Sequence, residues 1–596
     1  MKNSARRQLH RLITSSILCG IVITSTRSNG IVISSGPSFV PAANAPLAGS
    51  LQLTTDVPSR VTVTVNDGQT TWSKTFYDYA TSHSIPLLGF KPSRNNQITV
   101  TVFDKSWNAA TAASPVIFNS PAQPSDFPPC VLLRSEPDKL EPGYTLFRIL
   151  NRINNRAYVG IVDSLGEIVW YSGVATTADV RQLTNGDLFI PLSTSFVEIN
   201  MLGNTVQTWN VPANLPINLH DGVPTPHGTI LYLSDASRAE TNFPTSATNP
   251  NAPRTTANVL FNKVVEISAT NSALLNTWSP IDFLDPRRLT YLTFDMNTSL
   301  GWDIEHSNAV IEDPRDDTLI VSMRDQNCLV KFYRDTGAIK WILGPPANWT
   351  SAFQPYLFTP VGTPFQWQYG QHAPSYTPQG TLLVYDDGNY RASPFDPPLV
   401  NSNNFSRAVE YSINEQTMEI SQVWDYGSDT NREFFYTGQV GNADWLPVTG
   451  NVLVNFGFVS FDNRYPPSPY SPSASMARIQ EVSHDTPAEL VWDLAFFDYS
   501  NTSHSYLGCY IYRSHRIADL YAHPAQPVAD LMLDFDNNNP RLRFSADETR
   551  TYTVQASTDL SHWQELGDAS DEGTGQFQFE DTDANSNLRY YRVVSH

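Results

Sequence analysis

The sequence predicts an all-β protein: a six-bladed β-propeller flanked by an N-terminal and a C-terminal small β-sandwich. Signals for long helices are scarce, and 43 Pro and 30 Gly residues punctuate short apolar runs, as is typical of strands joined by turns. At 596 residues the chain is too long for one ordinary core. Strand-like runs that end in tryptophan recur at intervals of about 40 to 80 residues, a spacing typical of propeller blades. These runs end at Trp170, Trp209, Trp278, Trp341, Trp424 and Trp492.

Residues 1–27 are predicted to be a signal-like segment. Basic residues, among them Arg6 and Arg7, precede a modestly apolar run at 12–23 that is too short to span a bilayer. No later stretch is long and apolar enough for a transmembrane helix. We therefore expect a periplasmic or secreted protein without membrane insertion.

The remaining chain divides by pattern into four parts. Residues 46–112 alternate apolar and polar side chains, as in R-V-T-V-T-V, which indicates half-buried antiparallel strands and predicts a small β-sandwich. The Pro- and Ser-rich stretch 113–129 is predicted to be a linker. Residues 130–523 hold the repeats and are the predicted catalytic propeller. Short alternating strands return at 527–596, the predicted C-terminal accessory β-sandwich.

Charge and cysteine content exclude several classes of protein. The formal net charge of −20 and the pI near 4.9 exclude non-specific binding to nucleic acid, so an anionic substrate needs a locally positive pocket. Cys19 lies in the signal-like segment, and Cys130, Cys328 and Cys509 are widely spaced, so no disulfide framework is indicated. Buried thiols or one pair both fit. The oligomeric state is left open, a homo-oligomer included.

Three histidines and one asparagine occupy the same position in successive repeats. His220, His372 and Asn442 each lie eight residues before a turn glycine, and His306 has the same place if its turn is three residues longer. The first strand of a propeller blade is the innermost. We therefore expect these four side chains to converge on a central channel.

Asn308 and Arg324 add polar groups to this cluster. Asn308 lies two residues past His306, on the same face of that strand, and Arg324 follows the next strand-like run. Buried polar groups need partners or a ligand to offset their desolvation, so this constellation predicts a functional site.

Three hypotheses about function fit the cluster. Three imidazoles can hold Zn²⁺ with an open position, as in a metal-dependent hydrolase or lyase, although none pairs in an H-x-H motif. An oxyanion pocket for a sulfuryl or phosphoryl group can instead use Arg324 as a bidentate donor and one imidazole as nucleophile. The third hypothesis is a non-enzymatic propeller that binds glycans or proteins. The inner-strand register argues against it, because binding surfaces usually use the loops at the top of the blades.

Several ordered motifs resemble one family. They are L-H-D at 219–221, D-I-E-H-S-N at 303–308, I-V-S-M-R-D-Q-N at 320–327, I-K-W-I-L-G at 339–344, Y-G-Q-H at 369–372, D-D-G-N at 386–389 and Y-R-S-H-R-I-A-D-L-Y at 512–521. The chain resembles the bacterial aryl sulfotransferases that use no activated nucleotide. The resemblance covers roughly residues 46–521, including the layout of sandwich and propeller.

This resemblance implies a function without a cofactor or a metal. The family moves a sulfuryl group from an aryl sulfate donor to a phenolic acceptor by ping-pong transfer through a histidine, which by motif is His372. His220, His306, Asn308 and Arg324 fall on the family's sulfate-handling positions. Asn442, in register with the histidines, is a further candidate for substrate binding.

The residues after the predicted nucleophile depart from the family pattern. Ala373 follows His372 where a hydroxyl or acidic residue is commoner, and Pro374 removes a backbone donor. We expect this departure to affect efficiency or the choice of acceptor.

Overall fold

The computed structural model describes residues 30–173, 179–218, 220–313, 315–399, 404–428, 436–460, 475–496, 508–521, 529–536, 539–546, 551–558, 560, 562–572, 576–582 and 589–595. The predicted signal-like segment 1–27, with Cys19, lies outside them. The all-β prediction is confirmed. Helical structure in the described part is limited to 3-10 turns at Pro137–Lys139, Pro280–Asp282, Leu292–Phe294, Arg324–Gln326 and Gln354–Tyr356.

The N-terminal strands are hydrogen-bonded into one six-stranded sheet. They are β1 (Ile33–Pro41), β2 (Gly49–Asn66), β3 (Thr71–Leu87), β4 (Asn95–Asp104), β5 (Ala109–Thr111) and β6 (Val116–Asn119). The long β2 pairs with β1 along its first half and with β4 along its second half, so one strand runs through both parts of the predicted sandwich.

The sheet extends beyond both predicted boundaries, which were residues 46 and 112. Phe39 of β1 packs against Phe90 and Phe118, with ring centroids 5.4 and 4.7 Å away, and this burial holds β1 and β6 in the sheet. The beginning of the predicted linker 113–129 is therefore part of the sheet, since β6 pairs with β4.

The strands from residue 130 to residue 517 form six further sheets in the described part of the chain. They are β7 (Cys130–Ser135), β8 (Tyr144–Asn151), β9 (Arg156–Val162), β10 (Ile168–Ser172), β11 (Arg181–Gln182), β12 (Leu188–Pro191), β13 (Ser195–Ile199), β14 (Thr205–Asn210), β15 (Gly222–Pro224), β16 (Thr229–Phe243), β17 (Thr255–Ser268), β18 (Leu274–Trp278), β19 (Asn297–Thr298), β20 (Gly301–Asp303), β21 (Ser307–Asp313), β22 (Thr318–Met323), β23 (Cys328–Tyr333), β24 (Ile339–Leu343), β25 (Thr359–Pro360), β26 (His372–Tyr376), β27 (Leu382–Asp386), β28 (Arg407–Asn414), β29 (Glu419–Tyr426), β30 (Asn442–Trp445), β31 (Val452–Ser460), β32 (Ser475–Val482), β33 (Leu490–Phe496) and β34 (Cys509–Ile517).

Each of these six sheets contains four antiparallel strands in sequence order, with one exception. The sheets are β34-β8-β9-β10, β11 to β14, β15 to β18, β21 to β24, β26 to β29 and β30 to β33. The exception is the first sheet, in which the late strand β34 pairs with β8. Conversely, the early strand β7 pairs with β33 of the sixth sheet. The first strand of this region thus belongs to the sixth sheet, and its last strand belongs to the first sheet.

The six tryptophans link the sheets in a closed order. Each indole Nε1–H donates to an oxygen in the turn between the third and fourth strands of the next sheet, at 2.6 to 3.1 Å. The sixth, Trp492, donates to Ser164 in the first sheet. The tryptophans at the predicted strand ends therefore have a physical role. Each one buries its ring and donates a hydrogen bond to an oxygen in a turn of the next sheet.

The C-terminal strands form two small sheets. They are β35 (Ala529–Asp536), β36 (Asn539–Ser545), β37 (Tyr552–Ser557), β38 (Gln564–Asp568), β39 (Ser570–Asp571), β40 (Gln576–Glu580) and β41 (Tyr590–Ser595). The order is β35-β36-β40-β39 in one sheet and β38-β37-β41 in the other. Phe544, Tyr552 and Phe577 pack between them. This module contacts the N-terminal sheet, where the Tyr77 hydroxyl donates to the Ala546 carbonyl at 2.8 Å.

Two sequence expectations can be compared directly with these residues. Cys130, Cys328 and Cys509 are free thiols in the described part, and the latter two are buried. No helix among the described residues has both the length and the apolar character that crossing a membrane requires.

Candidate active site

The predicted site residues lie where the first or second strands of their sheets begin or end. His372 is the first residue of β26, His306 directly precedes β21, and His220 lies two residues before β15. Arg324 begins the 3-10 turn after β22. Because these strand ends come from neighbouring sheets, the structure brings all four side chains to one place.

Short distances define this cluster. The rings of His220 and His306 are 4.8 Å apart, centroid to centroid. Tyr512 of β34 lies 6.0 Å from the His220 ring and 6.4 Å from the His372 ring. The Arg324 backbone N–H donates to the His306 carbonyl at 3.4 Å. The three histidines and Arg324 therefore lie in one cluster.

The backbone is irregular at two of these histidines. The strand pairing of β26 with β27 shifts register directly after His372, and that of β21 with β22 shifts after Ser307. His306 and Ala373 have φ angles of 45° and 46°. Such bulges and left-handed residues change the direction of a side chain at the cost of local strain, and they are common at functional sites.

The three imidazoles differ in charge. Burial lowers the pKa of His306, but the Asp303 carboxylate, 2.7 Å from its Nδ1, outweighs burial and raises the pKa above 6.5. Burial and the neighbouring His306 lower the pKa of His220 to about 3. Burial and Arg324 lower the pKa of His372 well below 6.5. The site therefore combines one imidazole whose protonated form is favoured with two whose neutral form is favoured.

Two buried aspartates flank Arg324. Its Nη1 donates to Asp325 at 2.7 Å, and its Nε lies 3.9 Å from Oδ2 of Asp387. Oδ1 of Asp387 lies 3.0 Å from Nδ1 of His372. Burial raises the pKa of Asp325 to about 7 and raises the pKa of Asp387 well above 3.8, although Arg324 opposes both shifts. The guanidinium is also held by the Gly438 carbonyl at 3.1 Å, so its orientation is fixed.

One group of side chains has the composition of a metal site. Atoms of Asp303, His306 and Asp325 lie within 4.8 Å of one another and could serve as ligands. This set differs from the three histidines considered as zinc ligands from the sequence. Arg324 hydrogen-bonds to Asp325, and its charge opposes a bound cation.

The two predicted asparagines have different environments. The Asn308 Nδ2 donates to the Gln371 carbonyl at 2.8 Å, and its buried Oδ1 has no hydrogen-bond partner among the described residues. The Asn442 side chain is used at both ends, since Nδ2 donates to the Ser514 carbonyl and Oδ1 accepts from the Ser514 N–H. Asn442 therefore clamps β30 to β34, and its predicted role in substrate binding stays a prediction.

Sequence reasoning assigned no role to several residues of the site. Asp303 and Asp387 lie in the quoted motifs D-I-E-H and D-D-G-N, where carboxylates close to a predicted histidine were the available signal. Arg513 of β34 donates to the Asn308 carbonyl at 2.9 Å and to Asp221 at 3.2 Å. Its place in the site depends on β34 pairing with the first sheet, which no local pattern indicates.

A cavity with both apolar and charged lining residues lies beside the cluster. Its volume is about 330 Å³, and its lining includes Ala309, Pro374, Arg181, Arg513 and His515. It begins at the residues that follow His306 and His372 on their strands. Pro374 thus faces this cavity, consistent with an effect on what reaches the histidines.

The comparisons with known proteins agree with the motifs. Residues 132–504 match the family model described as Arylsulfotransferase (ASST), and residues 39–117 match the model of the arylsulfotransferase Ig-like domain. The chain belongs to the arylsulfotransferase family.

Two curated relatives carry the same printed name. The chain is 24% identical over 334 residues to arylsulfate sulfotransferase AssT of Escherichia coli O6:H1 (strain CFT073), covering 46% of this chain and 53% of the relative. It is 23% identical over 336 residues to AssT of Lelliottia amnigena, with the same coverage. The chain thus spans about half the length of these relatives.

Among solved structures, a Bacteroides caccae protein of unknown function is 12% identical and has a TM-score of 0.34. It covers 63% of this chain and 98% of its own, and the score is too low to bear on the fold.

Proposed function

We propose that this chain transfers a sulfuryl group from an aryl sulfate to a phenolic acceptor by a ping-pong mechanism, with His372 carrying the group between the two half-reactions. The observation that carries the proposal is the meeting of three buried imidazoles, one of them paired with Asp303, beside a fixed guanidinium. Family membership supplies the substrate class. The same family and the signal-like segment support a periplasmic or secreted location.

The proposed architecture is a six-bladed propeller in the region 130–523. Two observations support it: the closed order of six tryptophan hydrogen bonds and the pairing of β34 with the first sheet. In such an arrangement the first strand of each blade lines the axis, which accounts for the convergence of the histidines.

In the first half-reaction His372 is the nucleophile. Its lowered pKa keeps the imidazole neutral, so Nε2 has a lone pair for attack on sulfur while Nδ1 faces Asp387. The Nε2–S bond forms as the bond between sulfur and the phenolic oxygen breaks. Arg324, as a donor of charge-assisted hydrogen bonds, stabilises negative charge on the sulfuryl oxygens.

His306 is the proposed general acid. Its raised pKa keeps a proton available, and transfer of this proton to the departing phenolate releases a neutral phenol. His220, which is neutral and whose buried Nδ1 has no hydrogen-bond partner among the described residues, is a second hydrogen-bonding group for the sulfuryl oxygens or the phenol.

The second half-reaction reverses these roles. Neutral His306 takes the proton of the acceptor phenol, the phenolate oxygen attacks sulfur, and the Nε2–S bond breaks. The enzyme returns to its starting protonation state, with His306 cationic and His372 neutral. Asn308, whose Oδ1 is buried without a partner among the described residues, is the proposed further contact for substrate.

The metal-dependent alternative rests on the group Asp303, His306 and Asp325. It predicts that a divalent ion remains with the purified protein and that a chelator abolishes turnover of aryl sulfates. Unchanged turnover after treatment with a chelator and removal of bound ions rejects it.

The decisive test is the intact mass of the protein after incubation with nitrophenyl sulfate in the absence of an acceptor. We expect a gain of one SO₃ group, its loss when phenol is added, and no gain in His372→Asn. The matched control is His227→Asn, since the side chain of His227 is 59% exposed and lies outside the cluster. An adduct that forms equally in His372→Asn rejects this assignment.

A further inference from the structure

We infer that Asp387 is a positioning residue that fixes His372 in the tautomer with the proton on Nδ1 and compensates the positive charge of the sulfated ring. This inference rests on the proposed function for its chemistry. Its geometry is independent of that function.

Neighbouring aspartates at the end of β27 point to opposite sides. Asp386 accepts from Arg407 and Arg391, both at 2.9 Å, and faces away from the histidines. Asp387 lies two residues after Tyr385, the strand partner of His372, and its Oδ1 reaches Nδ1 of His372 at 3.0 Å. Because successive side chains alternate along a strand, the second aspartate faces the site.

The environment of this contact favours a fixed geometry. The side chains of Asp387 and His372 are 0% and 2% exposed, so water does not compete for the hydrogen bond. The Ser406 hydroxyl donates to the Asp387 carbonyl at 2.6 Å and anchors its backbone. Oδ2 of Asp387 has no hydrogen-bond partner among the described residues and lies 3.9 Å from Nε of Arg324.

The protonation of the pair decides which nitrogen attacks. Burial raises the pKa of Asp387, and Arg324 opposes this shift. In the ionised form, which the inference requires, the carboxylate can only accept, so it places the proton of neutral His372 on Nδ1 and leaves Nε2 with its lone pair. If the pair gains one proton, the carboxyl donates to Nδ1 and the ring carries its own proton on Nε2, or the ring becomes cationic. Neither form has a nucleophilic Nε2.

The same carboxylate balances charge during transfer. When the Nε2–S bond forms and the S–O bond breaks, the His372 ring retains its Nδ1 proton and gains a positive charge. The proton that leaves with the phenol comes from His306, so Asp387 remains ionised beside the cationic ring. A neutral side chain at position 387 leaves this buried charge uncompensated.

The experiment compares Asp387→Asn and Asp387→Ala with Glu410→Gln. The control removes a similar contact, since Glu410 pairs with Nε2 of His484 and neither residue lines the cavity beside the site. The rate of adduct formation from nitrophenyl sulfate is measured in single turnovers as a function of pH. We expect a fall of roughly 10³- to 10⁴-fold in Asp387→Asn, as for other aspartates that orient a catalytic histidine, with little change in donor affinity. The acid limb of the pH profile should also move to lower pH, because loss of the carboxylate charge lowers the pKa of His372. Glu410→Gln should stay within about threefold of the parent.

A second measurement uses the unmodified protein. Nitrogen-15 NMR of histidine-labelled protein, with His372 assigned from the signal missing in His372→Asn, reports the tautomer directly. We expect the Nδ1–H form; the Nε2–H form overturns the inference, whether or not the Asp387 variants fold. If the parent forms no adduct, the proposed function fails and the tautomer alone decides this inference. If the parent forms the adduct and folded Asp387→Asn does so at the same rate, only the role of Asp387 is rejected.

Discussion

The imidazole rings of His220 and His306 lie 4.8 Å apart and bind protons with very different strength. Burial and His306 lower the pKa of His220 to about 3, whereas Asp303 overcomes burial and raises the pKa of His306. The two adjacent rings thus differ in protonation: the ring with a carboxylate partner favours the protonated form, and its neighbour favours the neutral form.

This division predicts the pH dependence of adduct formation. The rate requires a protonated His306 and an unprotonated His372, so it should fall as the pH rises through the pKa of His306 and again at low pH. Since the pKa of His306 is raised, the falling alkaline limb should lie above pH 6.5. Single-turnover rates with phenyl sulfate across the pH range provide the measurement. An alkaline limb centred below pH 6.5 contradicts the assignment of His306.

Replacement of His306 by asparagine should slow the reaction by an amount that depends on the leaving group. Phenolate needs the proton from His306, so we expect a loss of roughly 10²- to 10⁴-fold with phenyl sulfate. Nitrophenolate is a stable anion and leaves without protonation, so the loss should be much smaller with nitrophenyl sulfate. Comparison of the two donors in the parent and in His306→Asn tests this expectation. Equal losses with both donors show that His306 acts in another way.

The two asparagines should respond differently to alanine. Asn442→Ala breaks both hydrogen bonds to Ser514, and we expect it to lower the free energy of unfolding by about 1–3 kcal/mol with an unchanged KM for donor. Asn308→Ala should instead raise KM or lower kcat. Thermal unfolding and steady-state kinetics of both variants provide the comparison. An increase in KM confined to Asn442→Ala supports the substrate-binding role predicted from its register and contradicts the structural role expected here.

These asparagines show how far the repeat register predicts the site. The shared position of His220, His306 and His372 places them together because strands of the same order in neighbouring sheets begin at one end of the molecule. Asn442 has the same register, but its neighbour is β34, a strand that arrives from far along the chain and takes both of its hydrogen bonds. Asp387 was quoted in a motif but given no role, since its contact with His372 depends on the pairing of His372 with Tyr385, which neither strand reveals by itself.

The stability of the protein should fall at alkaline pH because of His515. This ring lies between Asp179 and Asp444, with nitrogen–oxygen distances of 2.8 and 2.7 Å, and so ties three sheets together. Burial lowers its pKa, but the two carboxylates outweigh burial and raise the pKa to about 9. A histidine with a raised pKa stabilises the fold fully below its unfolded pKa of 6.5, and this contribution is lost as the pH rises through about 9.

The expected contribution of His515 is at most about 3 kcal/mol, reduced by solvent because the side chain is 20% exposed. His515→Gln should therefore lower Tm clearly at about pH 6, and its Tm should approach that of the parent at about pH 10. The control is His484→Gln, another histidine paired with a carboxylate, Glu410, outside this triad. The stabilisation that comes from a protonated ring must be lost when the ring is deprotonated. If the Tm difference between the parent and His515→Gln stays constant across this pH range, His515 stabilises the protein by packing alone.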